Sequence, residues 1–326
     1  MKKVCVTGGS GFIGAYLVKK LVELGHEVTV IDNLTRGSLD RLQSVKSDIR
    51  VQNCDIRNEA EILDATKNID VVYHLAAVNG TENFYNHPDL VLDVGIRGAL
   101  SIVNACVAND VPDLVVASTA EVYQQPALLP TPESIELKLP NSLNPRYSYG
   151  GSKIATELIA LNYGREHFNK LQIFRPHNVY GPDMGWKHVI PQFIQRLLSL
   201  KGSNEVSGSF EIQGSGHETR AFAYVDDVVD GIILMQENGE HRNIYNIGND
   251  SEVSINKLAK ILMEVADTNQ PIVNTEGLLG GTNRRCPDLT KMRAMGYRPK
   301  VSLEAGLRKC YAWYANNHNN FQNGLL

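Results

Sequence analysis

The chain has 326 residues, of which 43% are hydrophobic and 21% are charged, and its net charge is −4 at pH 7. This size allows one large α/β unit or two modest domains with a sizeable core. The slightly acidic balance gives no basic surface for nucleic acid, and no uninterrupted apolar run approaches the ~20 residues that span a bilayer. Five scattered cysteines without a CxxC pair predict reduced thiols in a cytoplasmic protein, with neither a disulfide framework nor a metal site.

Buried strands alternate with helices along the first half of the chain. Apolar runs without polar alternation predict strands covered on both faces of a sheet, and apolar residues at helical spacing predict the helices between them. This order predicts right-handed βαβ units and therefore an α/β fold with a doubly wound parallel sheet. The predicted strands are 2–8, 27–32, 70–76, 114–118 and 171–175, and the predicted helices are 13–25, 90–110 and 149–167.

The pattern changes after the fifth predicted strand, where proline, glycine and aromatic loops separate shorter helices. We therefore predict a first domain over residues 1–175 and a smaller α/β domain over most of 176–326. The run NIYNIG at 243–248 predicts another strand, so a segment near 219–248 is expected to return to the first domain. The polar stretch at 201–209 predicts a loop.

A glycine-rich loop, TGGSGFIG at 7–14, lies between the first predicted strand and the first predicted helix. Gly8, Gly11 and Gly14 permit a tight turn and let backbone amides approach a diphosphate at the helix N-terminus. Asp32 ends the second strand about 20 residues further on, where a carboxylate can accept a hydrogen bond from an adenosine ribose. Together these features predict a dinucleotide-binding domain of the Rossmann type.

The residues after the second strand bear on which dinucleotide is bound. Asp32 favours NAD over NADP, because its carboxylate would repel a 2′-phosphate. Arg36 could offset this repulsion, or it is a solvated loop arginine. Asp55 follows a further strand and either accepts a hydrogen bond from the adenine amine or is a plain turn aspartate.

The segment YSYGGSK places Tyr149 and Lys153 four residues apart, on one face of a predicted helix. An ammonium group beside a phenol favours the phenolate, and a cationic nicotinamide favours it further, so a tyrosine with a depressed pKa is expected when NAD is bound. Such a tyrosine can take a proton from a sugar hydroxyl while a hydride leaves for NAD. A Tyr/Lys pair alone is more commonly helix surface. Tyr147 cannot be the base by this argument, since the residue four positions on is Gly151.

Several motifs resemble the extended short-chain dehydrogenase/reductase family, and more specifically its NAD-dependent nucleotide-sugar epimerase/dehydratase group. They are the glycine loop, the YxxxK pair, and Thr119, a hydroxyl residue three positions before the dipeptide VY. The stretches RPHNVYGP (175–182), ETRAFAYVDDVVDG (218–231) and NRRCPD (283–288) resemble substrate-side motifs of that group. The likeness runs nearly from end to end.

The resemblance implies an NAD-dependent enzyme that acts on a nucleoside-diphosphate sugar, with the second domain mainly binding that substrate. It also implies a homodimer in polysaccharide biosynthesis, and the helices near 90–109 and 149–168 carry apolar surface that could pair with a second copy. No nucleic acid, membrane or metal is expected as a partner. The residues expected to contact NAD are Gly8, Gly11, Phe12, Ile13, Asp32, Asn33, Asp55, Ile56, Leu75, Ala76, Ala77 and Lys153.

The resemblance also assigns the expected catalytic residues. Thr119 matches the hydroxyl that bonds the reacting sugar oxygen. Tyr149 matches the base, and Lys153 matches the residue that lowers its pKa and holds the nicotinamide ribose.

The substrate side is expected to combine an amide, two arginines and a loop. Asn178 matches a residue that reaches the substrate's diphosphate. Arg220 and Arg285 match arginines that bind phosphate or nucleotide ribose, for which a planar charged fork is suited. Trp186 and His188 in the following loop either contact sugar or nucleotide, or are a packing residue and a loop histidine.

Several positions depart from the usual pattern of the group, so the pocket is expected to differ from that of the commonest galactose 4-epimerases. Phe84 stands where a small hydroxyl residue is common, and Gln124 stands where glycine usually follows VY. The other departures are Gly95, His177 and Ala221.

The residues after Thr119 separate the possible reactions. In sugar 4,6-dehydratases an Asp–Glu pair typically follows the hydroxyl residue, but here Ala120 precedes Glu121. A conventional 4,6-dehydratase is therefore disfavoured, and decarboxylases of nucleotide-linked uronic acids resemble the pattern more closely. Simple 4-epimerases need neither acid. Glu121 is thus a C5 acid/base, an acceptor for a substrate hydroxyl, or a strand-end carboxylate bonded to backbone.

Taken together, the sequence favours epimerisation through a 4-keto intermediate with bound NAD recycled. Decarboxylation, a Glu121-assisted elimination and oxidation alone are the alternative reactions. A dinucleotide-sensing regulatory protein is the alternative outside enzymes, and the fold alone does not exclude it. The intact set of Thr119, Tyr149 and Lys153 argues against it, since a sensor needs no base.

Overall fold

The computed structural model describes residues 1–202, 209–276 and 282–322, so most of the predicted loop at 201–209 lies outside it. The strands are β1 (Lys3–Thr7), β2 (Glu27–Asp32), β3 (Ile49–Asn53), β4 (Val71–His74), β5 (Asp113–Ala117), β6 (Lys170–Pro176), β7 (Val179–Tyr180), β8 (Phe210–Gln213), β9 (Thr219–Ala221), β10 (Ala223–Tyr224), β11 (Asn243–Ile247), β12 (Glu252–Ser254), β13 (Ile272–Thr275) and β14 (Arg284–Arg285). The helices are α1 (Phe12–Glu23), α2 (Glu59–Ala65), α3 (Thr81–Asn86), α4 (Pro88–Ala108), α5 (Ser148–Tyr163), α6 (Val189–Gly202), α7 (Val225–Asn238), α8 (Ile255–Val265), α9 (Thr290–Ala294) and α10 (Leu303–Gln322).

A seven-stranded parallel sheet runs through the molecule in the order β3-β2-β1-β4-β5-β6-β11. The five predicted strands of the first half all lie in it, and the strand predicted at 243–248 is β11, which pairs with β6. The strand order reverses between β1 and β4, which makes the carboxyl ends of these two strands the topological switch point where ligands bind in such sheets. The predicted α/β, doubly wound Rossmann-type fold is confirmed.

The two faces of the sheet are covered by different helices, as the side-chain alternation along β1 requires. Val4 and Val6 point to one face and pack in a cluster with buried residues of α1 and α7, such as Val228. Cys5 points to the other face and packs with residues of α4 and α5, such as Ile102. Full burial of each such side chain contributes about 1.5–3 kcal/mol, so the two clusters hold the layers together.

Helix α4 has the length and composition of a membrane span, with 21 residues that are mostly apolar. However, about half of its apolar stretch is buried inside the protein, and the helix packs against α2 and α5. A core helix of a soluble protein meets the same criteria, so α4 is only a weak indication of a membrane.

The C-terminal part adds a third cluster beyond the carboxyl edge of the sheet. Helices α6, α8 and α10 pack around aromatic and aliphatic residues, among them Phe193, Phe210 and Leu258. Three small sheets frame this region, in the orders β10-β7, β12-β9-β14 and β13-β8. Tyr16 and Val179 touch both this cluster and the one under α1, so the packing is continuous, and the division into domains at residue 175 stays a prediction.

Candidate active site

The glycine loop is packed tightly against neighbouring backbone. A Cβ on Gly8 would lie 2.8 Å from the Ala76 nitrogen, and one on Gly14 would lie 2.1 Å from the Gly8 carbonyl oxygen, so neither position admits a side chain. Gly11, the N-cap residue of α1, makes no side-chain hydrogen bond that caps the helix. Ser10 Oγ is buried without a hydrogen-bond partner in the part of the chain that the structure describes. The N-terminus of α1 is therefore free to bind a phosphate group.

Predicted NAD contacts flank this loop at the start of α1 and after β4. They are Phe12, Ile13, Leu75, Ala76 and Ala77. The Ala76 nitrogen donates to Thr7 Oγ1 at 3.2 Å, which ties the end of β4 to that of β1. His74 Nδ1 bonds the same hydroxyl at 2.8 Å, and burial, with a smaller effect of the Lys153 charge, lowers the pKa of His74 to about 3. His74 is thus a neutral residue that supports the strand ends.

Asp32 lies at the end of β2 and is only 8% exposed. Its carboxylate accepts hydrogen bonds from the Ser10 nitrogen at 3.0 Å and the Leu34 nitrogen at 2.9 Å. Arg36 does not approach this carboxylate through any hydrogen bond of the described structure; its guanidinium instead donates to the Asn79 carbonyl oxygen. Of the two alternatives for Arg36, an offset to Asp32 or a loop arginine, this contact favours the loop arginine.

Asp55 is held by Arg57, whose Nε and Nη2 donate at 2.9 and 2.7 Å. These hydrogen bonds and the charge of Arg57 lower the pKa of Asp55 to about 2. The Arg57 nitrogen and Asn33 Nδ2 also donate to it, so its roughly four acceptor positions are taken. This arrangement favours a turn aspartate over a contact to adenine. Beside it, Ile56 is buried and packs against Gly98 of α4.

Tyr149 and Lys153 are both buried on α5, with 9% and 3% of their surface exposed. Lys153 Nζ donates to the Ala117 carbonyl oxygen at 2.7 Å, at the end of β5. Burial lowers the pKa of Lys153 to about 8, although the Glu157 carboxylate opposes this. The helix thus brings the pair to the carboxyl edge of the sheet, beside Thr119.

In the protein without ligands the pKa of the tyrosine is not depressed, and the depression stays a prediction for the enzyme with NAD bound. Burial raises the pKa of Tyr149 to about 12, and the negative charge of Glu121 adds to this. A hydrogen bond with the Thr119 hydroxyl and the charge of Arg36 act in the opposite direction but are weaker. Lys153 lies one turn further along the same helix, but its ammonium donates to the Ala117 carbonyl oxygen, and burial dominates the pKa of Tyr149.

Glu121 lies in a 3₁₀ turn (Ala120–Tyr123) that Thr119 begins by accepting a hydrogen bond from the Glu121 nitrogen at 3.2 Å. Its carboxylate accepts from Arg285 Nη1 at 2.7 Å. Arg285 Nη2 donates to Thr282 Oγ1 at 3.2 Å, and Nε is buried without a partner among residues 1–202, 209–276 and 282–322. Two residues that were predicted to act separately therefore form one ion pair with a spare donor.

Positive charge surrounds this pair. Burial alone would raise the pKa of Glu121, but the charge and hydrogen bond of Arg285, with smaller effects of Arg146 and Arg220, hold it below its usual value. Burial and repulsion by Arg285 lower the pKa of Arg220 to about 10, so it is still charged at neutral pH. Three arginines near one ionised carboxylate leave a net positive charge that suits an anionic ligand.

The remaining predicted substrate contacts are spread around the same edge. Asn178 has a positive φ of 41° and donates from Nδ2 to the Ala221 carbonyl oxygen at 3.3 Å. Trp186 packs edge-on against Tyr314 of α10, with 4.8 Å between ring centroids. This contact favours a packing role for Trp186 over a contact to sugar or nucleotide. His188 is exposed just before α6.

A buried polar network supports this edge from below, and sequence reasoning missed it. Arg175 donates to Glu157 through Nε and Nη2 at 2.8 and 2.6 Å, and both residues are 2% exposed. Ser118 Oγ also donates to Glu157, and Arg175 Nη1 donates to the Tyr123 hydroxyl at 2.8 Å. The network joins β6 and α5 to the turn that carries Glu121. One indication of this network is visible in the sequence, because Glu157 lies four residues beyond Lys153 and therefore on the same face of α5.

A parallel sheet with a glycine loop at its switch point, facing a buried Tyr–Lys pair, defines the class of dinucleotide-dependent short-chain dehydrogenases. Residues 4–248 match the model of the NAD dependent epimerase/dehydratase family, and the chain belongs to that family.

Comparison with known proteins agrees over nearly the full length. A UDP-N-acetyl-alpha-D-glucosaminuronate decarboxylase of Bacillus cytotoxicus is 30% identical over 98% of this chain and 100% of its own. A putative UDP-glucose 4-epimerase of Methanocaldococcus jannaschii is 31% identical over 97% and 99%. A double mutant of the dTDP-glucose 4,6-dehydratase DesIV of Streptomyces venezuelae, solved with NAD bound, is 28% identical with a TM-score of 0.87 over 99% of this chain and 100% of its own.

These findings make the protein an enzyme with NAD as its cofactor, of the nucleotide-sugar epimerase or decarboxylase type. The glycine loop with the uncapped end of α1 fits that cofactor, because it offers backbone amides and the buried Ser10 hydroxyl where a diphosphate binds.

Proposed function

We propose that the protein decarboxylates a nucleoside-diphosphate-linked uronic acid through a 4-keto intermediate. The observation that carries this proposal is the 2.7 Å ion pair between Glu121 and Arg285 close to Tyr149. A 4-epimerase can use these residues to bind a hydroxyl or a phosphate, but its chemistry at C4 needs no charged pair beside C5. A decarboxylase needs a cation that holds the sugar carboxylate next to the carbon that is oxidised.

The first step is oxidation at C4 of the sugar. Bound NAD supplies the acceptor for the C4 hydride and returns it at the end of the cycle. Tyr149 takes the proton of the 4-hydroxyl and Thr119 hydrogen-bonds the same oxygen. Lys153 holds the nicotinamide ribose.

Oxidation turns the substrate into a β-keto acid. The bond between C5 and the C6 carboxylate carbon then breaks, CO2 leaves, and the electron pair passes into an enolate on the C4 oxygen. Tyr149 and Thr119 stabilise this oxygen as donors. C5 takes a proton from water, and the returning hydride restores the alcohol at C4.

Arg285 binds the sugar carboxylate that leaves as CO2, and Glu121 holds Arg285 in position. The buried Nε of Arg285 has no partner in the described part of the chain, and a carboxylate oxygen of the substrate satisfies it. Glu121 keeps the guanidinium in place through the opposite nitrogen. The charge and hydrogen bond of Arg285 hold the pKa of Glu121 below its usual value, which favours an ionised partner of this arginine over a proton donor for elimination of a 6-hydroxyl. Ala120 is buried beside it and brings no second acid.

The experiment uses a UDP-linked uronic acid labelled at C6 with heavy carbon, and the matching UDP-hexose. Labelled CO2 and a UDP-pentose from the first, with no turnover of the second, support the proposal. Arg285→Lys should lower CO2 release strongly, because Nε and the planar fork are lost. Arg284→Lys is the matched control, since Arg284 is an exposed neighbour paired with Glu252. Inversion at C4 of the hexose without CO2 from the acid would overturn the proposal.

The second candidate is a 4-epimerase, which the sequence alone favours. It is supported by the similarity to the Methanocaldococcus jannaschii protein and by the complete set for oxidation at C4, since Thr119, Tyr149 and Lys153 suffice for it. In that case Glu121 accepts a hydrogen bond from a sugar hydroxyl, and Arg285 binds the diphosphate.

We further propose a cytoplasmic homodimer that takes part in polysaccharide biosynthesis and binds neither nucleic acid nor membrane. Exposed apolar residues on the two long helices support the dimer: Leu92 on α4, and Leu158 and Tyr163 on α5. The net charge of −4 supports the absence of a nucleic-acid partner.

A further inference from the structure

One aromatic residue covers the predicted base. The ring of Phe84 lies parallel to that of Tyr149, with 5.0 Å between centroids and 12° between planes. This is an offset stack of the kind that aromatic pairs prefer. Phe84 belongs to the six-residue helix α3, which follows β4 and the predicted NAD contacts. A small hydroxyl residue, which is common here in the family pattern, could not form this contact.

The helix that carries Phe84 is attached to the protein on two sides. Arg36, from the loop after β2, donates to the Asn79 carbonyl oxygen just before α3. Lys187, from the loop before α6, forms an ion pair with Glu82 on α3. Each contact is exposed and contributes little stability alone. Together they fix the position of a short helix that packs against the active site.

We propose that Phe84 is a positioning residue, which fixes the ring plane of Tyr149 and keeps water from one face of the phenol. The proposal rests on the proposed function in one respect, since it takes Tyr149 as the base for oxidation at C4. Phe84 has no group that can react, so it acts only through Tyr149.

The charges around Tyr149 come from elements other than α3. Glu121, on the turn after β5, raises the pKa of the phenol, but Arg285 is paired with that carboxylate. Arg36 and the Thr119 hydroxyl lower it.

Two further charged groups nearby are already engaged. On α5 itself, Lys153 donates to backbone. On α3, Glu82 is paired with Lys187. The influence of α3 on Tyr149 is therefore the exclusion of water by the Phe84 ring, and removal of the ring should let water stabilise the phenolate.

The direction of the effect follows from the role of a base. Tyr149 must lose its proton before it can accept one, so the rate of C4 oxidation rises with pH up to the pKa of the phenol. Phe84→Ser lowers that pKa by hydrating the phenol. The rising limb of the pH profile of kcat/KM should therefore move to lower pH, by about one unit or more.

The test uses the NAD-loaded enzyme with carbon-labelled tyrosine, in which NMR follows the titration of Tyr149. The resonance is assigned by its loss in Tyr149→Phe. Phe84→Ser should move this titration and the limb of kcat/KM together. Phe84→Tyr, which keeps the ring, should leave both in place. Tyr85→Ser is the matched control, because Tyr85 is the exposed neighbour on the same helix.

The outcomes separate this proposal from the proposed function. An unchanged Tyr149 titration in Phe84→Ser would overturn the role of Phe84, even in an enzyme that releases CO2. A shifted titration in an enzyme that turns over no nucleotide uronic acid would support Phe84 and count against the decarboxylase. A shift of equal size in Tyr85→Ser would also overturn the proposal, because the effect would then belong to the helix and not to the stacked ring.

Discussion

In the protein without ligands, burial and the negative charge of Glu121 raise the pKa of Tyr149 above that of a tyrosine in water. Tyr149→Phe removes the acceptor and leaves the shape of the site intact. We expect turnover to fall by about 10²–10⁴-fold while NAD binding is retained. Steady-state rates and NAD titration would check this. Tyr147→Phe is the control, since Tyr147 lacks a lysine four residues on, and a loss of equal size there would contradict the assignment.

Asp32 should set the choice of dinucleotide. Its buried carboxylate would meet the 2′-phosphate of NADP, and Arg36 donates to Asn79 on another side of the site. We expect NAD to bind at least about tenfold more tightly than NADP, which is ~1.4 kcal/mol. Titration calorimetry with both dinucleotides measures the ratio. Equal affinity would show that another residue accommodates the phosphate.

Gln124 occupies a backbone conformation that favours glycine, with φ 52° and ψ −113°. Its Nε2 donates to the Glu121 carbonyl oxygen at 2.7 Å and lies close to Gly150, next to the base. Gln124→Gly should relieve strain of about 1–3 kcal/mol and lose a hydrogen bond of about 1 kcal/mol.

We therefore expect the Gln124→Gly variant to be as stable as the parent or slightly more so, but less active, since the turn that carries Glu121 is looser. Thermal unfolding and CO2 release measure the two effects. Gln124→Ala keeps the strain and loses the bond, so it should be destabilised. Full activity in the glycine variant would contradict a positioning role.

At the scale of elements, α4 and α5 pack closely on each other and still expose apolar side chains. Leu158 on α5 is 57% exposed, which fits a helix pair that meets its copy in a second subunit. We expect a dimer by light scattering at micromolar concentration, and a monomer for Leu158→Glu. Leu128→Glu is a matched control, because Leu128 is also 57% exposed but lies in a loop. A monomeric parent would contradict the prediction.

The elements of the sheet could be predicted because their causes are local. Buried strands are continuous apolar runs, and the glycine loop needs glycines where a Cβ would meet backbone, as at Gly14. The pair Tyr149 and Lys153 was found because helical spacing is visible in sequence. The raised pKa of Tyr149 could not be predicted, because the burial that causes it arises from packing between distant segments. The ion pair between Glu121 and Arg285 joins residues 164 positions apart, and no local pattern announces it.

Phe84 is a second residue whose contacts could not be predicted from the sequence. Sequence reasoning marked it as a departure from the family pattern but gave it no partner. It stacks on Tyr149, and its helix is contacted by Arg36 and Lys187, which come from two other loops. Only the folded chain brings these three segments together.

At the scale of the whole molecule, the protein carries a net charge of −4 and yet gathers Arg146, Arg220 and Arg285 around Glu121. This local excess of positive charge suits a substrate that brings a carboxylate as well as a diphosphate. Decarboxylation of such a substrate must leave a carbanion at C5, whereas epimerisation at C4 never breaks a bond to C5. The two reactions therefore differ in where solvent hydrogen enters the product.

The most direct test is turnover of a UDP-linked uronic acid in deuterated water, with the product examined by NMR. The account predicts release of CO2 and one deuterium at C5 of the UDP-pentose, with the C4 configuration retained. Arg285→Lys should give the same label in far less product, since it weakens the grip on the carboxylate and leaves the chemistry at C5 unchanged. A product inverted at C4, with its carboxylate intact and no deuterium at C5, would contradict it.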